Sequence, residues 1–172
     1  MYLGGEFGLH PSDVNAYAAS TFYAVDRYAS YKKVWGKWYE EGGLVVSDRY
    51  TTSNAVHQAG KEPEEKRKDF LKWLYELEYD HMGLPKPDLV LYLDVPTDFT
   101  EMLLRSREAA TGTHADIHEA DTAYLRESRR MGRAAAEYYG WTLVSCVKDG
   151  KMRNIEDIHA EIYHYVMNCL EN

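Results

Sequence analysis

The sequence predicts an α/β fold, a parallel β-sheet with flanking helices. Two observations carry it. Short apolar runs that read as strands occur at Leu44–Ser47, Asp88–Asp94 and Trp141–Val147. Roughly 30–45 residues of helical sequence separate them, which is the length of a crossover between parallel strands and far too long for a hairpin. The chain has 172 residues, 45% hydrophobic and 28% charged. That is ordinary globular composition, and the length suits a single domain over residues 1–172.

The elements follow in order. Pro11-Ser12-Asp13 is a helix start, with capping residues ahead of a long run without Pro or Gly. Val14, Tyr17, Ala18, Ala24, Val25 and Tyr28 then recur at near-helical spacing. A helix is predicted from Ser12 to Tyr39, with Gly36 as its point of interruption and Gly42-Gly43 as its end. Leu44–Ser47 is a short buried strand, followed by the polar loop Asp48–Ser53. A helix through Glu64–Met82 puts Phe70, Leu71, Leu74 and Leu77 on one side and stops at Gly83. Pro85 and Pro87 bracket a loop, and Asp88–Asp94 is the strongest strand, closed by Pro96. Thr97-Asp98 caps a helix to Ala110, Thr111-Gly112-Thr113 breaks it, and a charged helix covers Asp116–Tyr139. Trp141–Val147 is the third strand, and Asn154 caps a last helix through Cys169.

Several function classes are excluded early. With 20 basic and 28 acidic residues the net charge is −8, which argues against bulk coating of nucleic acid. Two cysteines, Cys146 and Cys169, make neither a disulfide framework nor a four-thiolate site. No apolar run is long enough to span a membrane. Met1–Gly8 has neither a basic nor an apolar leader region, so a reducing, cytoplasmic setting is expected.

In parallel sheets, ligands bind beyond the carboxyl ends of the strands. Asp48-Arg49-Tyr50 sits there. Its Arg can grip a phosphate while the acid orients it or a metal-bound water, and a solvated ion pair is the competing reading. Ser53 and Asn54 continue the run with groups able to read a base edge, or simply to cap a helix. Tyr23 and Arg27 share a helix face, as a ring and a guanidinium would to stack and bond a nucleobase. Taken alone the pair reads as a core Tyr beside a surface Arg. Arg105 and Arg107 flank the Thr111-Gly112-Thr113 break; they suit a phosphate-closing lid, but by themselves read as a solvated patch at a helix C-terminus. His114, Asp116, His118 and Glu119 lack a third ligand at a compelling distance, so no metal site is expected. Gly36-Lys37, Gly60-Lys61 and Gly150-Lys151 are the Gly-Lys pairs; none completes G-x-x-x-x-G-K-[ST].

Three segments in order resemble thymidylate kinase, of the P-loop nucleoside-monophosphate kinase class. They are Phe22-Tyr23-Ala24-Val25-Asp26-Arg27, then Ser47-Asp48-Arg49-Tyr50-Thr51-Thr52-Ser53, then Pro87–Pro96 ahead of the Arg-flanked break. The resemblance covers essentially the whole chain. It implies phosphoryl transfer from ATP, with Mg2+, to dTMP, giving dTDP. By position Tyr23 stacks on thymine, Arg27 bonds the base edge, Arg49 holds the dTMP phosphate and Asp48 is its acidic neighbour near the metal. Ser53, Asn54 and Gln58 fall where the family lines the thymine and sugar pocket. His57 stands where many members carry an aromatic residue under the deoxyribose, which leaves room for another (deoxy)nucleoside monophosphate. Arg105 and Arg107 match the entrance of a lid at about residues 108–118, and catalysis is assigned to Asp48, Arg49, Arg105 and Arg107.

The family begins with a strand, the phosphate loop, a helix and a second strand, and this N-terminal βαβ portion is missing. The Leu44 and Asp88 strands are therefore expected to lack the partner that lies between them, and the chain alone to be weakly active or inactive. A non-catalytic nucleotide-binding module is the alternative. The resemblance implies no nucleic-acid or membrane partner; the family is commonly homodimeric, and the tyrosines of the first helix could serve that contact.

Overall fold

Alternating helical and extended sequence folds, in a computed structural model that describes residues 6–8, 10, 13–112 and 122–171, into two compact units, Ser12–Lys86 and Pro87–Asn172.

The first unit is helical. Helix α1 (Ala16–Ser30) starts at Asn15, whose side chain accepts from the Ala18 amide at 2.8 Å, so the cap is Asn15 and not Asp13, while Ser12 lies outside the described residues. The helix runs on through a π-helical turn (Tyr31–Trp35) into α2 (Gly36–Glu40), so the interruption expected at Gly36 is a widened turn just before it. Helix α3 (Thr52–Gln58) and two short 3-10 turns lead to α4 (Arg67–Tyr75), which continues as a second π-helical turn (Glu76–His81). Ala16, Ala19, Ala24, Ala55, Ala59, Phe70, Leu71, Leu74 and Leu84 form the core. Small residues on α1 and α3 let these helices approach closely, while Tyr17 meets Phe70 and Trp73 edge-on at ring separations of 5.2 and 4.6 Å.

The strand expected at Leu44–Ser47 is not formed. The segment pairs with no strand among the described residues, and Leu44 and Val46 are 55% and 84% exposed. A strand is defined by a neighbour that takes its backbone groups, and an apolar run alone does not supply one.

The second unit carries the sheet. Strands β1 (Leu91–Asp94) and β2 (Thr142–Ser145) pair in parallel, Leu91 opposite Thr142 and Asp94 opposite Ser145. The first ladder strand is shorter than Asp88–Asp94 at its start and the second shorter than Trp141–Val147 at both ends: Asp88–Val90, Trp141 and Cys146 fall outside the ladder, although the Val90 carbonyl accepts from the Thr142 amide at 3.0 Å. Val147 belongs instead to a hairpin of β3 (Val147–Lys148) and β4 (Lys151–Met152). Its turn, Asp149-Gly150, has φ of 51° and 72°, the double left-handed geometry that a two-residue hairpin requires. Helix α5 (Thr97–Thr111) stops at Gly112, α6 (Thr122–Tyr139) packs on the sheet through Met131, Gly132, Ala135 and Ala136, and α7 (Ile155–Leu170) is capped by Asn154 as expected. Gly132 is where α6 meets the ring of Tyr92; a Cβ there would overlap the phenol. No described helix is long and apolar enough to cross a membrane.

Candidate functional site

Helix α1 turns Ser20, Tyr23, Ala24 and Arg27 to one side by their three- and four-residue spacing. Arg27 is not the surface cation that its position suggested. Its Nε and Nη2 donate to the two carboxylate oxygens of Glu78 at 2.7 and 2.6 Å, a bidentate pair. Glu78 is 0% exposed and the Arg27 side chain 16%. Asn54, on α3, donates to the same carboxylate at 3.0 Å and to the Ser20 carbonyl at 3.2 Å. One buried acid thus ties α1, α3 and the π-helical turn together, bringing two predicted site residues, Arg27 and Asn54, into one network.

Asn54 and Gln58 lie one turn apart and both are buried. Gln58 Oε1 and Ser20 Oγ are buried and have no hydrogen-bond partner among the described residues. Tyr23, Ser53 and His57 are half-buried on the same two helices. A shallow depression of about 260 Å³, lined by Val25, Tyr28, His81 and Met82, uses a different side of α1 and none of these residues.

Asp48 and Arg49 are exposed, and no hydrogen bond or ion pair holds either side chain among the described residues. This removes the reading of the two as an ion pair. Arg49 adopts φ 66°, left-handed backbone that costs a non-glycine residue about 1–2 kcal/mol. Neighbours hold it there: the Ser47 hydroxyl donates to the Arg49 carbonyl at 2.6 Å, and the Tyr50 phenol donates to the Pro85 carbonyl at 3.0 Å. Thr51 and Tyr79 bond through their hydroxyls. Burial pushes the Tyr50 phenol well above its usual range and that of Tyr79 to about 12, so both stay neutral donors or acceptors. Left-handed backbone at a non-glycine residue persists only where its surroundings hold it.

In the second unit, Arg105 and Arg107 are exposed on α5, and Arg105 reaches Glu101 at only 3.9 Å. Residues 113–118 of the expected lid, with His114, Asp116, His118 and Glu119, lie outside the described residues. Among the described residues no group of three or more His, Cys, Asp and Glu side chains could hold a metal ion. Asp94, at the carboxyl end of β1, is gripped by Arg129 at 2.7 and 3.0 Å and by Arg133 on the next turn of α6. Burial works to raise its pKa, but the hydrogen bonds and charge of Arg129, then Arg133, outweigh it and hold the carboxyl below the usual aspartate range.

Glu78 was missed from the sequence. A signal existed: Phe70, Leu71 and Leu74 mark the buried stripe, and Glu78 follows Leu74 by four residues, a charge where the stripe asks for an apolar side chain. Leu77, expected on that stripe, is only half-buried.

The family model for thymidylate kinase matches residues 9–162. A thymidylate kinase of Mycobacterium tuberculosis is 31% identical over 138 residues, 79% of this chain and 60% of that protein. A probable thymidylate kinase of Pyrobaculum aerophilum is 26% identical over 157 residues, 91% of this chain and 71% of its own length. A thymidylate kinase of Thermomicrobium roseum is 35% identical over 99 residues, 57% of this chain and 43% of the relative. The match thus spans about 60% of the length of the mycobacterial relative. Matched over most of its length, with the Tyr23–Arg27 and Asp48–Ser53 segments inside the match, the chain belongs to the thymidylate kinase family.

Proposed function

We propose that the Ser12–Lys86 unit holds the acceptor site of a dTMP kinase, the enzyme that transfers a phosphoryl group from ATP to dTMP and releases dTDP. One observation carries the reading: Arg27 is fixed by a buried carboxylate, on a helix face shared with Tyr23, beside the buried amide of Asn54. Tyr23 stacks on the base and Arg27 bonds its edge. Ser53, Asn54, His57 and Gln58 line the base and sugar pocket, and Arg49 holds the phosphate with Asp48 beside it. Arg105 and Arg107 serve the lid. A homodimer through the exposed side of α1, where Phe22 and Tyr28 stand out, and a cytoplasmic setting belong to the same reading.

ATP and Mg2+ are the family's phosphoryl donor and metal. The residues of this chain supply no phosphate loop for ATP. The 172 residues contain no G-x-x-x-x-G-K-[ST]. No transfer step is assigned to them. The expected result is that the chain binds dTMP in calorimetric titration, with dGMP and the ribonucleotide weaker, while turning over little or none. Absence of dTMP binding would overturn the acceptor site, and appreciable dTDP formation by the chain alone would overturn the division of labour. The same missing motif favours the second reading, a binding module without catalysis; adding a phosphate-loop segment in trans would restore turnover under the first reading and not under the second.

A further inference from the structure

Glu78 takes one edge of the Arg27 guanidinium and leaves another. A guanidinium carries five N–H groups in a plane, on Nε, Nη1 and Nη2. Nε and one Nη2 hydrogen are spent on the carboxylate at 2.7 and 2.6 Å. Nη1 has no partner among the described residues, so the remaining fork, Nη1 with the second Nη2 hydrogen, is a pair of parallel donors in a side chain still 16% exposed. The carboxylate cannot turn to release that fork, since its Oε1 also accepts from Asn54 at 3.0 Å and the residue is 0% exposed.

From this geometry we propose that Glu78 is the specificity-setting positioning residue of the site: by locking the Arg27 guanidinium edge-on, it selects a pyrimidine with a carbonyl acceptor at C4 and rejects one with an amino group there. The inference rests on the dTMP reading given above. A 4-oxo base meets the donor fork with a lone pair. A 4-amino base presents hydrogens to hydrogens and leaves the donors unpaired, a penalty that a fixed Arg enforces and a freely swinging one evades. Glu78 does not touch the base; it acts through Arg27.

The test is the ratio of dissociation constants for dCMP and dTMP with the 172-residue chain. Both ligands share sugar and phosphate, so general loosening of the fold weakens them alike and leaves the ratio unmoved. Glu78→Gln keeps the volume but supplies one acceptor instead of two, so the guanidinium is no longer held by both nitrogens. The ligand must then order the Arg27 side chain itself, which weakens dTMP by roughly 10–30-fold. The weakening for dCMP is expected to be smaller, and the ratio to fall about tenfold or more. Glu78→Asp, which keeps the charge but draws it back by one methylene, is expected to move the ratio in the same direction and stands in should the Gln variant fail to fold. A wild-type ratio in either folded variant overturns the role of Glu78 while leaving the dTMP site intact. No preference for dTMP over dCMP in the wild-type chain overturns the underlying site and this inference with it.

Discussion

Asp94→Asn separates two arginines that look alike in sequence. Asp94 is 5% exposed and receives three charge-assisted hydrogen bonds, two from Arg129 and one from Arg133. A hydrogen bond to a charged group contributes about 1.5–3 kcal/mol. The Arg129 side chain is 32% exposed and its pair is bidentate, so about 2 kcal/mol is reasonable there. Arg133 is 52% exposed, and a pair at the surface contributes roughly 0.2–1 kcal/mol. Asp94→Asn should then cost roughly 2–3 kcal/mol, or roughly 4–12 °C in Tm for a chain of this size. Arg129→Ala should cost clearly more than Arg133→Ala. The pH dependence follows from the depressed carboxyl. A group whose folded pKa lies below its unfolded value, about 3.9 for Asp, stabilises fully above that value and loses the contribution as pH falls through the folded one. The gap between wild type and Asp94→Asn should be level from about pH 5 to 8 and close below about pH 4. Urea unfolding across that range measures it. A gap that widens in acid, or Arg133→Ala costing as much as Arg129→Ala, would refute the reasoning.

Other outcomes are expected from single residues. Arg49→Gly relieves left-handed backbone, so the variant should melt no lower than wild type while binding dTMP at least tenfold more weakly; unchanged affinity would remove Arg49 from the site. Arg27→Ala leaves Glu78 buried without its cation and should cost roughly 3–5 kcal/mol in chemical denaturation. The double variant Arg27→Met, Glu78→Leu should regain most of that stability without regaining dTMP binding, and a double no more stable than the single would contradict the pairing. Gly132→Ala should destabilise by about 1–3 kcal/mol despite the better helix propensity of Ala, because its methyl meets the Tyr92 phenol; a higher Tm would show that the ring moves aside freely.

Much of the fold is legible in the residues. The parallel pairing of β1 with β2 follows from the length of sequence between the apolar runs, and the start of α7 from Asn154. What failed has local causes. Val147 continues the apolar run of the third strand in composition, but the hairpin turn at Asp149-Gly150 pairs it with Met152 instead. Leu44–Ser47 has the composition of a strand, but pairing is a property of two segments and only one is in view. The π-helical turns at Tyr31–Trp35 and Glu76–His81 break the 3.6-residue period without any Pro or Gly inside them, so no punctuation marks them. Of the residues brought together there, the Tyr23–Arg27 face follows from helical spacing and Asn54 from the polar run after the first apolar segment, while Gln58 comes only from the resemblance to the family. The partner of Arg27 could not, because Glu78 lies 51 residues away and only the packing of α1, α3 and α4 brings it near.

The central claim is that α1, the Asp48–Ser53 loop and α3 form one dTMP site. Amide hydrogen exchange of the 172-residue chain with and without saturating dTMP tests it most directly. Protection gathered in residues 20–30 and 47–58 is the predicted result. Protection confined to the Pro87–Asn172 unit, or no change at any segment, would contradict it.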